Sequence, residues 1–208
     1  MWPGVLFLST WFQRVTTLLN EKVALRQLAH GRRAKVSANR GAAAAAEIAA
    51  LLCDSVPIPP AMTIAGFWPI GDEIDIRPAL QGLFERGHDL ALPVVIGRGR
   101  PLVFRAWRPG DALVTSVFGT FAPKSESPQI IPHALLVPAL AVDGQGYRLG
   151  YGGGYYDRIL SELREGEGFQ PLAIAVCFAC QLVEAVPHDN YDQPVDWVVT
   201  ENGAQRVS

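Results

Sequence analysis

The sequence predicts an α/β fold with three layers, in which helices cover both faces of a mainly parallel sheet. Apolar, strand-like segments alternate with helix-like segments along most of the chain, and such alternation is typical of parallel sheets. The chain has 208 residues and is 49% hydrophobic, which is enough for a real core and excludes a disordered protein. Since no linker divides it, we expect a single domain over residues 16–208.

The first 15 residues are expected to form an extension outside that domain. Residues 1–13 are apolar and carry no charge, but a bilayer crossing needs about 20 residues. They also lack the basic start and the small-residue cleavage site of a secretory signal. Neither export nor membrane binding is therefore expected, and we place the start of the working protein near Val15.

Two helices are predicted before the first strand. Thr16 or Thr17 is a candidate N-cap for a helix that continues to Val36, because a hydroxyl can accept a free N–H of the first turn. An alanine-rich helix is predicted from about Asn39 to Cys53, where a proline cluster ends it.

The rest of the chain supplies the sheet and two further helices. A strand is predicted over residues 63–70, followed by a helix with Asp75 as its cap, Pro78 in its first turn and Gly87 after its end. Another helix, YYDRILSELRE, follows a glycine-rich loop. Further strands are predicted over residues 90–96, 102–107, 134–143, 172–178 and 197–201. Ligands of such sheets bind beyond the carboxyl ends of the strands.

Charge and cysteine content exclude several protein classes. The net charge is -2, whereas general nucleic-acid binders carry a strong basic excess. Cys177 and Cys180 form one C-x-x-C pair, and no second ligand pair exists for a structural zinc site. They are either two buried thiols at a strand end or a redox pair. A reducing cytosol, and hence a cytoplasmic location, is expected.

The most informative segment is rich in glycine. Six glycines lie between Gly144 and Gly154, after a strand and before a helix. Glycines let backbone N–H groups approach a phosphate, and a helix N-terminus adds partial positive charge. Arg148 adds a full charge, although no Gly-Lys-Ser/Thr follows as in a P-loop. The segment predicts either a phosphate-binding loop or a flexible loop.

An acidic segment lies directly after the strand at residues 63–70. Asp72, Glu73 and Asp75 follow the aromatic residues Phe67 and Trp68. An aromatic ring can stack on a flat ligand while a carboxylate accepts its amide-like donors. The alternative is a helix N-terminus with acidic residues near the dipole.

A basic helix face is a third candidate. Lys22, Arg26 and Arg33 are spaced four and seven residues apart, so they share one face of the first helix. Such a face is either only solvated or neutralises the charge of a triphosphate.

Aspartates late in the chain are a fourth candidate. Asp189, Asp192 and Asp196, together with Asp157, could supply oxygen ligands for Mg²⁺. Turn formation explains Asp189 and Asp192 equally well.

These pieces occur in an order that resembles the 5-formyltetrahydrofolate cyclo-ligase family, also called 5,10-methenyltetrahydrofolate synthetases. The resemblance covers residues 18–201. Its motifs are K-x-x-x-R at Lys22 and Arg26, F-W-P-I-G-D-E-I-D at 67–75, R-L-G-Y-G-G-G-Y-Y-D at 148–157 and P-V-D at 194–196.

The resemblance implies a ligase that cyclises 5-formyltetrahydrofolate to 5,10-methenyltetrahydrofolate and releases ADP and phosphate. ATP is the co-substrate, Mg²⁺ the cofactor, and a phosphorylated formyl group (an imino-phosphate) the intermediate. Such chemistry needs positioning and charge neutralisation more than a protein nucleophile. The absence of a G-x-S-x-G segment agrees with this.

The resemblance also implies residue roles. Arg148 and Tyr155 would be catalytic, and Asp157 and Asp196 would bind Mg²⁺. Folate would contact Trp68, Glu73, Tyr151, Gly153 and Tyr155. ATP would contact Lys22, Arg26, Arg148, Leu149, Gly150, Tyr151, Gly152, Gly153, Gly154, Tyr155 and Tyr156.

The chain departs from some family members in one respect. Where they carry R-G-K-G, this chain has Tyr151 to Gly154, so phosphate binding relies on backbone N–H groups, Arg148 and Lys22. The rival interpretation is a non-catalytic folate or nucleotide binder descended from the enzyme. We expect a monomer or homodimer without a nucleic-acid or membrane partner.

Overall fold

The computed structural model describes residues 4–166 and 170–207. Its helices are α1 (Gly4–Asp54), α2 (Arg77–Glu85) and α3 (Tyr155–Glu165). Its strands are β1 (Thr63–Ala65), β2 (Asp89–Val95), β3 (Leu102–Ala106), β4 (Leu113–Thr115), β5 (Phe121–Pro123), β6 (Gln129–Ile130), β7 (Ala134–Pro138), β8 (Ala141–Val142), β9 (Arg148–Leu149), β10 (Leu172–Val176), β11 (Trp197–Thr200) and β12 (Gly203–Arg206).

The main sheet is mixed, with a parallel centre. Its eight strands have the order β12-β11-β10-β7-β1-β2-β3-β6. The neighbouring pairs from β11 to β2 are all parallel, while β12, β3 and β6 pair antiparallel at the two sides. The predicted mainly parallel sheet is confirmed. Two hairpins, β4-β5 and β8-β9, lie outside this sheet and were not predicted.

Helices cover both faces of the sheet. Leu136 of β7 packs in one cluster with Ile48 of α1 and Leu80 of α2, all fully buried. Its neighbour Leu135 belongs to a second cluster that contains Leu160 of α3. Because successive side chains of a strand point to opposite faces, α1 and α2 lie on one side and α3 on the other. The predicted three-layer architecture is confirmed.

The two helices predicted before the first strand are one continuous helix. α1 passes through Thr16 and Thr17, so neither residue caps a helix start, and it also continues through Gly41. A glycine in a helix costs only about 1 kcal/mol relative to alanine. The alanines that follow favour the helix, and Ile48 and Leu52 anchor it in the core with no exposed surface. The predicted extension, residues 1–15, lies partly outside the described residues and stays a prediction.

Local signals set the bounds of the next elements. The Asp75 carboxylate accepts the N–H of Arg77 at 3.0 Å, but the N-cap of α2 is Ile76, one residue after the predicted Asp75. Pro78 lies in the first turn of α2, and Gly87 follows the helix with φ of 85°. The strand predicted over 63–70 ends at Ala65. A Cβ on Gly66 would lie 2.7 Å from a Leu80 methyl, so glycine permits the close approach of this segment to α2.

The β8-β9 hairpin brings the glycine-rich segment to the site. The Asp143 carboxylate accepts the N–H groups of Gln145 and Tyr147, both at 3.0 Å. Between them, the carbonyl of Gly146 accepts the Val195 N–H at 2.9 Å. The hairpin thereby fixes the position of Arg148, which begins β9.

Gly146→Ala is expected to destabilise the protein, whereas Gly144→Ala is the matched control. Gly146 has φ of 83°, and an added Cβ would lie 2.5 Å from the Val195 carbonyl. Gly144 has open space around its Cβ position. We expect the free energy of unfolding in urea to fall by about 1–3 kcal/mol for Gly146→Ala. Equal unfolding midpoints for the two variants would contradict this account of the hairpin.

None of the helical segments in the described part of the chain is both apolar enough and long enough to cross a membrane.

The cysteines are free thiols. Cys177 is buried in the core, and burial raises the pKa of its thiol and that of Cys180. A thiol with a raised pKa is a poor nucleophile, so the structure favours buried thiols over a redox pair.

Candidate functional site

The basic face of α1 contacts the glycine loop, which we define as residues 150–154. Arg26 Nε donates to the carbonyl of Gly150 at 2.9 Å. The ring of His30 lies 5.6 Å from that of Tyr151. Arg33, two helical turns from Arg26, donates to the Tyr151 hydroxyl at 2.8 Å. The prediction that Arg26 and Arg33 share a helix face is confirmed, and that face organises the loop.

The glycines of this loop are required by its conformation. Gly152 and Gly154 have φ of 99° and 62°, a left-handed region that disfavours other residues. A Cβ on Gly153 would lie 2.7 Å from the Tyr155 ring. Within the described residues, no protein acceptor is found for the N–H groups of positions 151–153. The loop leads into the N-terminus of α3, so its free N–H groups and the helix dipole suit an anion.

Lys22 is held by an acidic partner. Its Nζ lies 2.6 Å from Asp192 Oδ2, and the Lys22 side chain is 13% exposed. The same oxygen accepts the N–H of Asp189, whose carboxylate in turn accepts that of Tyr191. These bonds are typical of a turn, which favours the turn interpretation of Asp189 and Asp192. The Lys22 ammonium has three N–H donors, so a phosphate can bind it beside Asp192.

Arg148 is a buried side chain that supports Asp157. It is 8% exposed. Its Nη2 donates to Asp157 Oδ1 at 2.8 Å, and its Nη1 donates to the carbonyl of Gln193. Burial lowers the pKa of Arg148, while the Asp157 carboxylate opposes this effect. The structure therefore gives Arg148 internal partners that sequence reasoning did not anticipate.

Asp196 directly precedes β11. Its Oδ2 accepts the N–H of Ala173 at 2.7 Å and lies 3.6 Å from Arg164 Nη2. Gln193 connects Asp157 to the partner of Asp196. Its N–H donates to Asp157 at 3.1 Å, and its Oε1 accepts from Arg164 at 3.3 Å. Each carboxylate thus has its own guanidinium partner.

The donor set is suitable for Mg²⁺ only together with a ligand. No group of three or more histidine, cysteine or acidic side chains that could hold a metal occurs in residues 16–166 and 170–207. Mg²⁺ is usually held by one or two carboxylates plus phosphate oxygens. Asp157 and Asp196 fit this pattern in chemical type.

Glu73 is the buried carboxylate of the acidic segment. It is 9% exposed, and its Oε2 accepts the N–H of Ile70 at 2.8 Å. Burial raises the pKa of Glu73, while the Ile70 N–H, Arg33 and Tyr151 act in the opposite direction. The glycine loop and the acidic segment, which were separate candidates in the sequence, meet here through Tyr151.

Trp68 belongs to an aromatic group beside the acidic segment. Its ring is half-buried and lies edge-on to Trp107 and Phe121, with centroids 6.0 and 6.1 Å away. The Arg77 guanidinium lies 5.5 Å from its centroid. Trp68 follows β1 at the carboxyl end, as predicted for a ligand-binding position.

The tyrosines that open α3 differ in environment. The Arg158 guanidinium lies 5.1 Å from the centroid of the Tyr155 ring. Tyr156 is packed against the core, and burial raises the pKa of its phenol. The roles assigned to both tyrosines, and to Leu149, stay predictions.

Sequence reasoning missed the roles of Arg33 and Asp72. Arg33 is 1% exposed and donates to the Asp72 carboxylate as well as to Tyr151. The signal was its spacing of seven residues from Arg26. Spacing along the sequence could not show that Arg33 lies beside Asp72 and Glu73.

Comparison with known proteins supports the family resemblance. The sequence profile of the 5-formyltetrahydrofolate cyclo-ligase family matches residues 19–201. The 5-formyltetrahydrofolate cyclo-ligase of Escherichia coli K12 is 32% identical over 150 residues, which cover 69% of this chain and 80% of the relative. That of Mycolicibacterium smegmatis is 34% identical over 149 residues, covering 66% and 73%.

Solved structures show the same fold. The 5,10-methenyltetrahydrofolate synthetase of Aquifex aeolicus superposes with a TM-score of 0.76 at 28% identity, covering 89% of this chain and 92% of that one. The synthetase of Mycoplasma pneumoniae superposes with a TM-score of 0.68 at 23% identity, covering 86% and 98%. The second likeness concerns the fold alone.

Proposed function

The chain belongs to the 5-formyltetrahydrofolate cyclo-ligase family and is an enzyme of that class, and we propose that it uses ATP to close the ring of 5-formyltetrahydrofolate. The products are 5,10-methenyltetrahydrofolate, ADP and phosphate. One observation carries the proposal: Tyr151 of the glycine loop contacts the cluster that contains Glu73. An anion held by the loop and a ring held by Glu73 would therefore be neighbours.

The folate is recognised by Glu73. An ionised carboxylate accepts hydrogen bonds only, so Glu73 suits the adjacent N–H donors of a pterin ring. It shares a small cavity with the buried apolar side chains of Phe67 and Ile74, both 3% exposed. Hydrogen bonds to a charged group are stronger in such a low-dielectric site. Trp68 offers aromatic surface along the ring.

The nucleotide is bound by the glycine loop and the α1 face. The free N–H groups of positions 151–153 contact phosphate oxygens, and Arg26 and Lys22 neutralise their charge. Arg26 already lies against the loop at Gly150. Arg148, just before the loop, donates to Asp157, just after it, and to the carbonyl of Gln193, and so fixes the two ends of the loop. Residues 150–154 thereby keep their shape without the two cations that some family members carry.

The reaction has two displacement steps. The formyl oxygen attacks the γ-phosphorus of ATP, an O–P bond forms, and ADP leaves with the electrons of the broken bond. The para-aminobenzoyl nitrogen then attacks the formyl carbon, phosphate leaves, and the nitrogen loses its proton. Each step needs alignment and neutralised charge, which the loop and the α1 cations supply.

An oxygen-transfer experiment tests this route. We expect that 5-formyltetrahydrofolate labelled with ¹⁸O in the formyl group transfers the label to released phosphate, with one ADP formed per methenyl product. Mass spectrometry of the phosphate measures this. Label found only in water would contradict phosphorylation of the formyl oxygen.

Mg²⁺ would be held by Asp157 and Asp196 together with ATP phosphates, where it would neutralise phosphate charge. The Asp157 carboxylate is held in place because it also accepts from Arg148 and Gln193.

A cytoplasmic location is proposed as well, because free cysteines such as Cys53 are typical of a reducing compartment.

Asp196→Asn is expected to raise the Mg²⁺ concentration needed for half-maximal activity by about tenfold. Asparagine still accepts the Ala173 N–H but loses the charge. The control is Asp89→Asn, which removes an exposed carboxylate at the start of β2. Coincident Mg²⁺ titrations for Asp196→Asn and the control would remove Asp196 from the metal site.

A further inference from the structure

Arg33 connects the two loops that form the site. Its Nη2 donates to the Asp72 carboxylate of the acidic segment and to the Tyr151 hydroxyl of the glycine loop. Its Nη1 lies 3.9 Å from Glu73 Oε1. One guanidinium on α1 therefore contacts both the loop assigned to the nucleotide and the segment assigned to the folate.

Two of the donor atoms of this guanidinium are unused. Within the described residues, Arg33 Nε and Nη1 are inaccessible and have no hydrogen-bond partner. They belong to a side chain that lines a small cavity with Glu73, Phe67 and Gln181. A buried charge with open donors is unfavourable for folding. Stability alone therefore does not explain why this position is arginine.

We propose that Arg33 is a positioning residue that couples the nucleotide and folate sites. The inference rests on the proposed function, since it takes Glu73 as the folate contact and the glycine loop as the nucleotide contact. When bound nucleotide shifts the loop, Tyr151 moves the guanidinium to which it is hydrogen-bonded. A shift of about 1 Å brings Nη1 within hydrogen-bond distance of Glu73, which then holds the folate.

Coupling of this kind is reciprocal. If bound nucleotide tightens folate binding, bound folate tightens nucleotide binding by the same factor. The connection is short, since Tyr151 and Asp72 share one nitrogen of Arg33. Removal of the Tyr151 hydroxyl takes away the hydrogen bond between the glycine loop and Arg33 and leaves the bond of Arg33 to Asp72.

The charge of Arg33 also acts on Glu73. The polar and charged groups that act on Glu73 come from three other elements and from its own loop, and they are Arg33 of α1, Tyr151 of the glycine loop, Tyr156 of α3, Asp72 and the Ile70 N–H. Asp72 opposes the ionisation of Glu73, and Arg33 favours it. Without the cation, folate binding must weaken at a higher pH, because Glu73 protonates sooner.

Calorimetry measures the coupling directly. We would titrate 5-formyltetrahydrofolate into the full-length protein, with and without a non-hydrolysable ATP analogue and Mg²⁺. We expect the analogue to tighten folate binding at least about fivefold in the wild type. Tyr151→Phe should bring this ratio close to one, whatever its effect on folate affinity in the absence of nucleotide. The control is Arg32→Gln, an exposed neighbour that should retain the full ratio.

The pH dependence gives a second, independent readout. In Arg33→Gln the pH midpoint of folate binding should rise, whereas Arg33→Lys should restore the wild-type midpoint. An unchanged ratio in Tyr151→Phe, or an unchanged midpoint in folded Arg33→Gln, would overturn the proposal. If Arg33→Gln does not fold, Tyr151→Phe alone decides. If the wild type binds folate equally well with and without the ATP analogue, the coupling is overturned and the proposed function stays intact. If the wild type binds no folate, both are overturned.

Discussion

Glu73→Ala is expected to lower kcat/KM for 5-formyltetrahydrofolate about 100-fold, with a much smaller effect on kcat/KM for ATP. Hydrogen bonds to a charged group contribute about 1.5–3 kcal/mol each, and the loss of roughly 3 kcal/mol corresponds to that factor. The carboxylate is buried and accepts the Ile70 N–H, so a replacement side chain cannot reproduce its position. Steady-state kinetics with each substrate varied in turn measures the split.

The pH dependence of the folate KM in the wild type tests the same contact between Glu73 and the folate. Only ionised Glu73 accepts from the pterin donors, and burial raises its pKa. Folate KM should therefore rise as the pH falls toward that raised pKa, and this acid limb should be absent in Glu73→Ala. Glu184→Gln, at an exposed position, is the control for lost surface charge. An equal loss for both substrates in Glu73→Ala would reject the assigned folate role.

Arg148→Ala is expected to reduce both stability and ATP use. The variant leaves Asp157 without its guanidinium and Gln193 without a donor. Breaking a buried ion pair costs about 3–5 kcal/mol, and we expect a value near 3, because Asp157 is 25% exposed. β9 and the start of α3, between which the glycine loop lies, then lose this link, so kcat/KM for ATP should fall at least about tenfold.

Two measurements separate these effects. Urea unfolding gives the loss of stability, and kinetics at a temperature where the variant stays folded gives the loss of ATP use. Arg98→Ala, which removes an exposed arginine between β2 and β3, should change neither quantity. ATP kinetics that are unaltered in folded Arg148→Ala would show that Arg148 contributes nothing to nucleotide binding.

Local sequence signals predicted the elements that carry the site. The α3 helix, residues 155–165, has its predicted bounds, because a left-handed Gly154 precedes an amphipathic segment. Alternating apolar segments predicted the parallel centre of the sheet. Short strands such as those of the β4-β5 hairpin, each three residues long, leave too little periodicity to detect.

Contacts between distant parts of the chain could not be predicted. Lys22 and Asp192 are 170 positions apart, and Arg33 and Tyr151 are 118 apart. Spacing along one helix showed that the cations share a face, but it did not show which acidic or phenolic groups the fold brings to them. The internal partner of Arg148 illustrates the same limit, because a glycine-rich context alone favours an open phosphate contact.

The most direct test of the central claim is the reaction itself. Purified protein is mixed with 5-formyltetrahydrofolate and MgATP, and the methenyl product is followed by its near-ultraviolet absorbance. We predict an absorbance rise that requires ATP and that, at folate concentrations below KM, is about 100-fold slower in Glu73→Ala. No rise, while calorimetry still shows bound folate, would contradict the cyclo-ligase assignment and indicate a non-catalytic folate binder on the same fold.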